Sequence, residues 1–230
     1  MDDGGGSRQI RCPEFVVYME LQPRVLVAVP YHPSKAYCLD KLFISLNRLT
    51  YPNKEIVIRQ DTGEYGRKNA VKEQREFFRQ LALQNNFDYL YFHGADTIPP
   101  ADVIERLLSP NYPIVGGVYW TRAKADTCHA IASIEGCETE EKDMVLMPCD
   151  NDPYPYEEVT ISGLDCMLIR KDVLDRVGWL GWAVTDDDWP YCGILRNLGY
   201  SILLDRTVQC EHWQDQCGYS HAGKFYEKSK

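Results

Sequence analysis

The sequence predicts an α/β fold: a single domain with a mostly parallel sheet, helices on both faces and a smaller mixed second half. Two observations predict it. Short apolar runs alternate with longer amphipathic stretches, the pattern of strand–helix–strand crossovers. The apolar runs, such as "YLYF" (89–92), are also rich in aromatic and branched residues, as buried strands prefer.

The elements follow in order. "RVLVAV" (24–29) reads as a buried strand. "SKAYCLDKLFISLNRL" reads as a helix with Ser34 as N-cap and Leu39, Leu42, Phe43, Leu46 and Leu49 on one stripe. "EIVIR" (55–59) is a second strand. "NAVKEQREFFRQLALQ" is a second helix with Val71, Phe78 and Leu81 inward. "FDYLYF" (87–92) is the third strand, "ADVIERLL" a short helix and "PIVGGVYW" (113–120) a further strand. From 121 to 162 the pattern breaks into short pieces, an acidic turn "CETEEKD" and the proline-broken "DNDPYPYEE". Regular alternation returns with "LDCMLIR" and the helix "KDVLDRV". "WLGWAVTDDDW" follows, then the helix "PYCGILRNL", closed by Gly199, and the strand "YSILLD". No internal repeat is visible. Residues 1–22 read as a flexible leader, 23–213 as the domain and 214–230 as a polar tail.

Composition narrows the function classes. The chain has 230 residues, and its net charge of -9 argues against a broad phosphate-binding face. No apolar run approaches the roughly 20 residues of a membrane span. The acidic, glycine-rich start "MDDGGGSRQ" is unlike a signal peptide. Nine cysteines without framework spacing point to reduced thiols and a cytoplasmic protein.

In open α/β sheets, ligands bind beyond the carboxyl ends of the strands. Asp61 follows the second strand, where a carboxylate can accept bonds from a base or ribose; an Asx-turn in "DTG" is the bland alternative. Asp96 ends the third strand inside "YLYFHGADTIPP". A carboxylate there can hold a divalent ion against a diphosphate. The bland alternative is a helix cap, but Asp102 lies closer to the next helix start.

The order of segments resembles the nucleotide-sugar glycosyltransferases of the GT-A fold, especially the inverting family 2. The carriers are "VAVPYHPS", "YPNKEIVIRQDTG", "GADTIPP", "VGGVYW", "GLDCMLIRKDVL", "DDWPYCGILRNLGY" and "DRTVQCEH", spread over residues 24 to 213. One departure matters: Gly94 stands where the family's Asp-x-Asp has its first acid. The resemblance implies a UDP-sugar or related donor, Mn²⁺ or Mg²⁺ on Asp96 and His212, and donor contacts from Pro30, Tyr31, Asp61 and Arg67. It implies a general base in "TDDDW", with Asp188 favoured and Asp187 next to it. An acid-rich helix start would explain one of those acids through the helix dipole, not three together. On the acceptor side stand Asp165, Trp120 and Trp182, the tryptophans as stacking surfaces for a sugar. Trp179 is as readily core.

The expected activity is metal-dependent, inverting transfer of a sugar from a nucleoside diphosphate to a hydroxyl of a glycan or another acceptor. Two alternatives stay open: a viral or phage enzyme acting on a hydroxylated nucleobase in DNA, and a degenerate carbohydrate-binding homologue. A pyrophosphorylase would need a glycine-rich loop after the first strand, and "PYHPSK" has no glycine. Cys210, His212, Cys217 and His221 could be zinc ligands, but their first gap differs from finger spacing.

Overall fold

The computed structural model describes residues 22–61, 67–122, 128–130, 132–133, 155–179, 188–214, 218–221 and 224–227. The first half contains β1 (Val25–Tyr31), a 3-10 turn (Pro33–Cys38), α1 (Leu39–Arg48), β2 (Lys54–Gln60), α2 (Arg67–Gln84) and β3 (Tyr89–His93). It continues with β4 (Thr97–Ile98), α3 (Val103–Leu108), β5 (Ile114–Val118) and β6 (Trp120–Arg122). Next come the short strands β7 (Cys128–Ala130), β8 (Ala132–Ser133), β9 (Tyr156–Val159) and β10 (Ile161–Ser162), then β11 (Cys166–Arg170) and α4 (Lys171–Arg176). The chain closes with α5 (Asp188–Asn197), β12 (Ile202–Gln209), β13 (Glu211–His212), β14 (Gly218–His221) and β15 (Lys224–Glu227).

A seven-stranded sheet in the order β2-β1-β3-β11-β5-β12-β9 forms the spine. The strands β2, β1, β3, β5 and β12 run one way, while β11 and β9 run against them. The expected mostly parallel sheet is therefore present, with β11 inserted antiparallel at its centre. β1 shows why the sequence folds this way. Val25 to Val29 are all 0 % exposed, and each buried aliphatic side chain contributes roughly 1.5–3 kcal/mol. Alternate side chains feed two cores. Leu26 and Ala28 pack with Phe78, Phe92 and Trp179 on one face; Val25, Val27 and Val29 pack with Leu42, Leu46 and Ile104 on the other.

Two local expectations change. Residues 33–38 form a 3-10 turn rather than the first turn of an α-helix, and its cap is His32, whose ring accepts from the Ser34 N–H. Proline at the start of the turn fixes φ and lacks an N–H, so the cap falls before Ser34. Phe43 is 49 % exposed, because the inner face of α1 is set by Leu42, Ser45 and Leu46. Gly199 does end its helix region, with φ +83, the left-handed conformation glycine adopts at little cost. Among the described residues no helix is long and apolar enough to cross a membrane.

Candidate functional site

The 94–96 segment is held by the chain around it. The Gly94 N–H donates to the Asp165 carbonyl at 2.7 Å, and the Trp213 N–H donates to the Asp96 carbonyl at 2.8 Å. The Cys38 thiol donates to the Ala95 carbonyl. β4 then pairs with β13 so that His212 lies opposite Thr97. That register brings His212 beside Asp96: its Nε2 is 3.6 Å from Asp96 Oδ2, while its Nδ1–H donates to the Trp120 carbonyl at 2.8 Å.

Lys35, from the 3-10 turn, reaches the same Asp96 oxygen and forms an ion pair with it. Asp96 is 3 % exposed. Burial works to raise its pKa, but His212 and Lys35 outweigh that and lower it. In return, burial opposes charge on Lys35 and on His212, and the Asp96 carboxylate raises both.

A second cluster sits across the same pocket. Arg75, on α2, donates from Nη1 to Asp188 Oδ1 at 2.5 Å and from Nη2 to Asp165 Oδ1 at 3.4 Å. Its side chain is 4 % exposed, against 24 % for Asp188 and 32 % for Asp165. Although about a third of the Asp165 side chain meets solvent, the low-dielectric surroundings of its carboxyl group push its pKa up to about 6. Arg75 opposes the shift, and Asp96 and Asp188 add to it. The Asp165 N–H donates to the Tyr119 hydroxyl at 3.4 Å. Asp61 is placed by its N–H, which donates to the Tyr31 carbonyl at 2.8 Å. His32 Nε2 stands 3.8 Å from Asp61 Oδ2.

These groups line one cavity of about 260 Å³, at the carboxyl ends of β1, β2 and β3. Of the sequence-predicted residues it takes in Pro30, Asp61, Asp96, Asp165, Asp188 and His212. His32, Ser34, Lys35, Gln74 and Arg75 also line it and were not foreseen. Gln74 is 5 % exposed, and its amide oxygen has no hydrogen-bond partner among the described residues. A buried polar atom without a partner, facing a pocket, is a place for a ligand atom. A second hollow, about 440 Å³, lies against α1 residues Lys41, Ile44 and Arg48; Glu211 is the acid among its lining residues, and it takes in none of the predicted site.

Other expectations are redirected. Tyr31 is 9 % exposed and packs in the core with Val29 and Leu42, while Pro30, expected beside it as a donor contact, lines the cavity. Trp120 is 0 % exposed, and its indole N–H donates to Gln209 at 2.8 Å. It cannot be a stacking surface for an acceptor sugar; it is core and supplies the carbonyl that orients His212. Trp179 is also core, stacked on Tyr191 with ring centres 4.1 Å apart. Cys210 is fully buried, and Tyr91 and Cys166 bond beside it. Arg67 opens α2, but its side chain lies outside the described residues, as do Asp187, Trp182 and Cys217.

A divalent ion can be tested against these donors. Mg²⁺ and Mn²⁺ take oxygen-rich, near-octahedral sets, commonly with one or two carboxylates. The Asp96 oxygen that faces His212 is already bonded to Lys35. The family's first acid has no room: a Cβ on Gly94 would lie 2.6 Å from Asp165 Cβ and 2.8 Å from Thr97 Oγ1. Among the described residues no three His, Cys, Asp or Glu side chains gather as a metal site would need. The donor set present does not fit the expected ion.

No protein-family model and no curated protein matches the chain. Among solved structures, it is similar to A197 from STIV, at 16 % identity and a TM-score of 0.58, over 90 % of this chain and 95 % of that one. It also aligns with the mannosyltransferase PcManGT from Pyrobaculum calidifontis, solved with GDP-Man and Mn²⁺, at 14 % identity and a TM-score of 0.45, over 81 % of this chain and 58 % of that one. The second likeness is too distant to carry an argument. The first shows a shared α/β fold, and a fold by itself assigns no chemistry.

Proposed function

We propose that the chain is a glycosyltransferase that moves a sugar from a nucleoside diphosphate, UDP favoured, to a hydroxyl acceptor with inversion. One observation carries the reading. Asp61, Asp96, Asp165, Asp188 and His212, chosen from strand ends and segment order, converge on one cavity at the ligand-binding edge of the sheet.

The roles divide by position. Asp61 and Pro30 take the nucleoside, with Arg67 as a further donor contact. The Asp96 cluster faces the diphosphate. Asp188 faces the acceptor, aimed by Arg75, with Asp187 as the alternative base; Asp165 and Trp182 belong to the acceptor side. The acceptor oxygen attacks the anomeric carbon, and its proton passes to the Asp188 carboxylate. The bond from the anomeric carbon to the β-phosphate oxygen breaks, and its electron pair leaves with the diphosphate. Attack opposite the leaving group inverts the anomeric centre.

A scan of nucleotide sugars for diphosphate release, with product analysis by proton NMR, tests this. An α-linked donor should give a β-linked product. A product that keeps the donor's configuration rejects Asp188 as a base for direct displacement. Donor binding without turnover on any glycan or hydroxylated-DNA acceptor would mark a degenerate binding homologue instead.

A further inference from the structure

We propose that the cation facing the donor's diphosphate is Lys35, the chain's own ammonium, with His212 beside it, so that a nucleoside diphosphate binds here without a divalent metal. The inference rests on the donor reading above and names what replaces the ion in it.

The first ground is the closure of the metal position. A first carboxylate at residue 94 is barred by Asp165 and Thr97, and the remaining acid, Asp96, is bonded to Lys35. The second ground is that Lys35 is built into place. Its N–H donates to the His32 carbonyl at 2.9 Å, inside a turn that His32 also caps. The single Cys38 S–H is shared between the Lys35 carbonyl at 3.1 Å and the Ala95 carbonyl at 3.3 Å, so it bridges the turn and the Asp96 segment. The Tyr37 hydroxyl, two residues on, donates to the Trp213 carbonyl at 2.7 Å, next to His212. Three short segments are thus fastened around one ammonium.

The third ground is the charge around it. An ammonium has three N–H donors, so the bond to Asp96 does not exhaust Lys35, whose side chain remains 31 % exposed. Two of the other pocket acids have a cation of their own: Arg75 holds Asp165 and Asp188. At the Asp96 end, Lys35 and His212 both contact one carboxylate, and Asp165 acts on both from farther off. A compact ammonium is a recurring phosphate binder, and a second base alongside it answers the charge of a leaving diphosphate.

The test is calorimetry of UDP, GDP and ADP with the full chain, in EDTA and then in Mn²⁺. At least one diphosphate should bind in EDTA, with an affinity that Mn²⁺ changes by less than about threefold. Lys35→Met should weaken that binding by about tenfold or more, the scale of one charged hydrogen bond. Lys35→Arg, which keeps the charge and spares the fold, should restore most of it. Binding that appears only with Mn²⁺, or that Lys35→Met and Lys35→Arg both leave unchanged in EDTA, overturns the proposal and leaves the donor reading standing. Absence of binding by all three nucleotides in both conditions overturns the donor reading, and this inference with it.

Discussion

Arg75 holds two carboxylates from a nearly buried position, and its removal has a calculable effect. Breaking a buried ion pair from one side costs roughly 3–5 kcal/mol, because the partner charges stay behind. Asp165 and Asp188 stay 32 % and 24 % exposed, so water screens the charges left behind and Arg75→Met should lose less than that, about 1–3 kcal/mol, in urea unfolding. Arg75→Lys keeps the charge but not the two-pronged geometry, so it should stay folded and lose kcat rather than donor affinity. Asp188→Asn should keep diphosphate binding and lose transfer by about a hundredfold or more, the scale of a general base. Full activity in both the Asp187 and Asp188 variants would end that assignment. A different residue governs acid behaviour. His93 is wholly buried, bonded to Gly94 and Ser45, and burial lowers its pKa to about 4. In the unfolded chain it titrates near 6.5. The fold therefore disfavours the proton: its contribution is full above about pH 6.5 and is lost as pH falls toward 4, on the order of 3 kcal/mol in total. Asp165, raised to about 6, acts in the opposite sense over that range. The His93 part is read as the difference between wild type and His93→Gln in urea unfolding at pH 7, 5.5 and 4; equal pH slopes would refute it.

Elements explain which site residues the sequence could show. Asp61, Asp96 and Asp188 lie at ends of strands or the start of a helix, where local patterns point to function, and segment order carried His212. Lys35 and Arg75 lie in the body of a turn and a helix, where charge usually means solvent. A signal for Arg75 did exist. Val71, Arg75, Phe78 and Ala82 recur at helical spacing, so an arginine interrupts an inward stripe. Lys35 had no such signal, because its meeting with Asp96 depends on how the 3-10 turn docks on β3. Trp120 misled because its chemistry suits either sugar stacking or a core with one hydrogen-bond partner, and Gln209 supplies that partner. The β10–β11 connection shows how elements fix the site. A Cβ on Gly163 would lie 1.7 Å from the Tyr119 hydroxyl, the group that accepts from the Asp165 N–H. Gly163→Ala should therefore destabilise the fold and displace Asp165, reducing transfer more than diphosphate binding. Unchanged turnover in a folded Gly163→Ala protein would show that Asp165 is not held this way.

For the whole molecule, alternation of apolar runs revealed the sheet but not its order. The antiparallel β11 at its centre follows from how the second half returns, which local pattern does not encode. Both outer strands carry charge, Lys54, Glu55 and Arg59 on β2 and Glu157 and Glu158 on β9, and charges blunt edge-to-edge pairing. The net charge of -9 also bears on the acceptor. A protein that grips duplex DNA non-specifically does so through basic surface and with strong salt dependence. This chain should show no salt-dependent retention on unmodified duplex DNA at physiological ionic strength, as checked by mobility shift. Tight retention would move the hydroxylated-nucleobase reading to the front.

The crowding at Gly94 limits what can be rebuilt there. An acid at position 94 cannot be added by one substitution without a clash, because Asp165 and Thr97 fill the space a new side chain would enter. Asp165 would have to shrink first, and that change takes one carboxylate away from Arg75 before any metal ligand is gained. Gly94→Asp alone should be destabilised without gaining a response to Mn²⁺, and Gly94→Asp with Asp165→Ala should recover part of the stability. The residue at 94 is thus tied to the one at 165, and neither changes freely without the other.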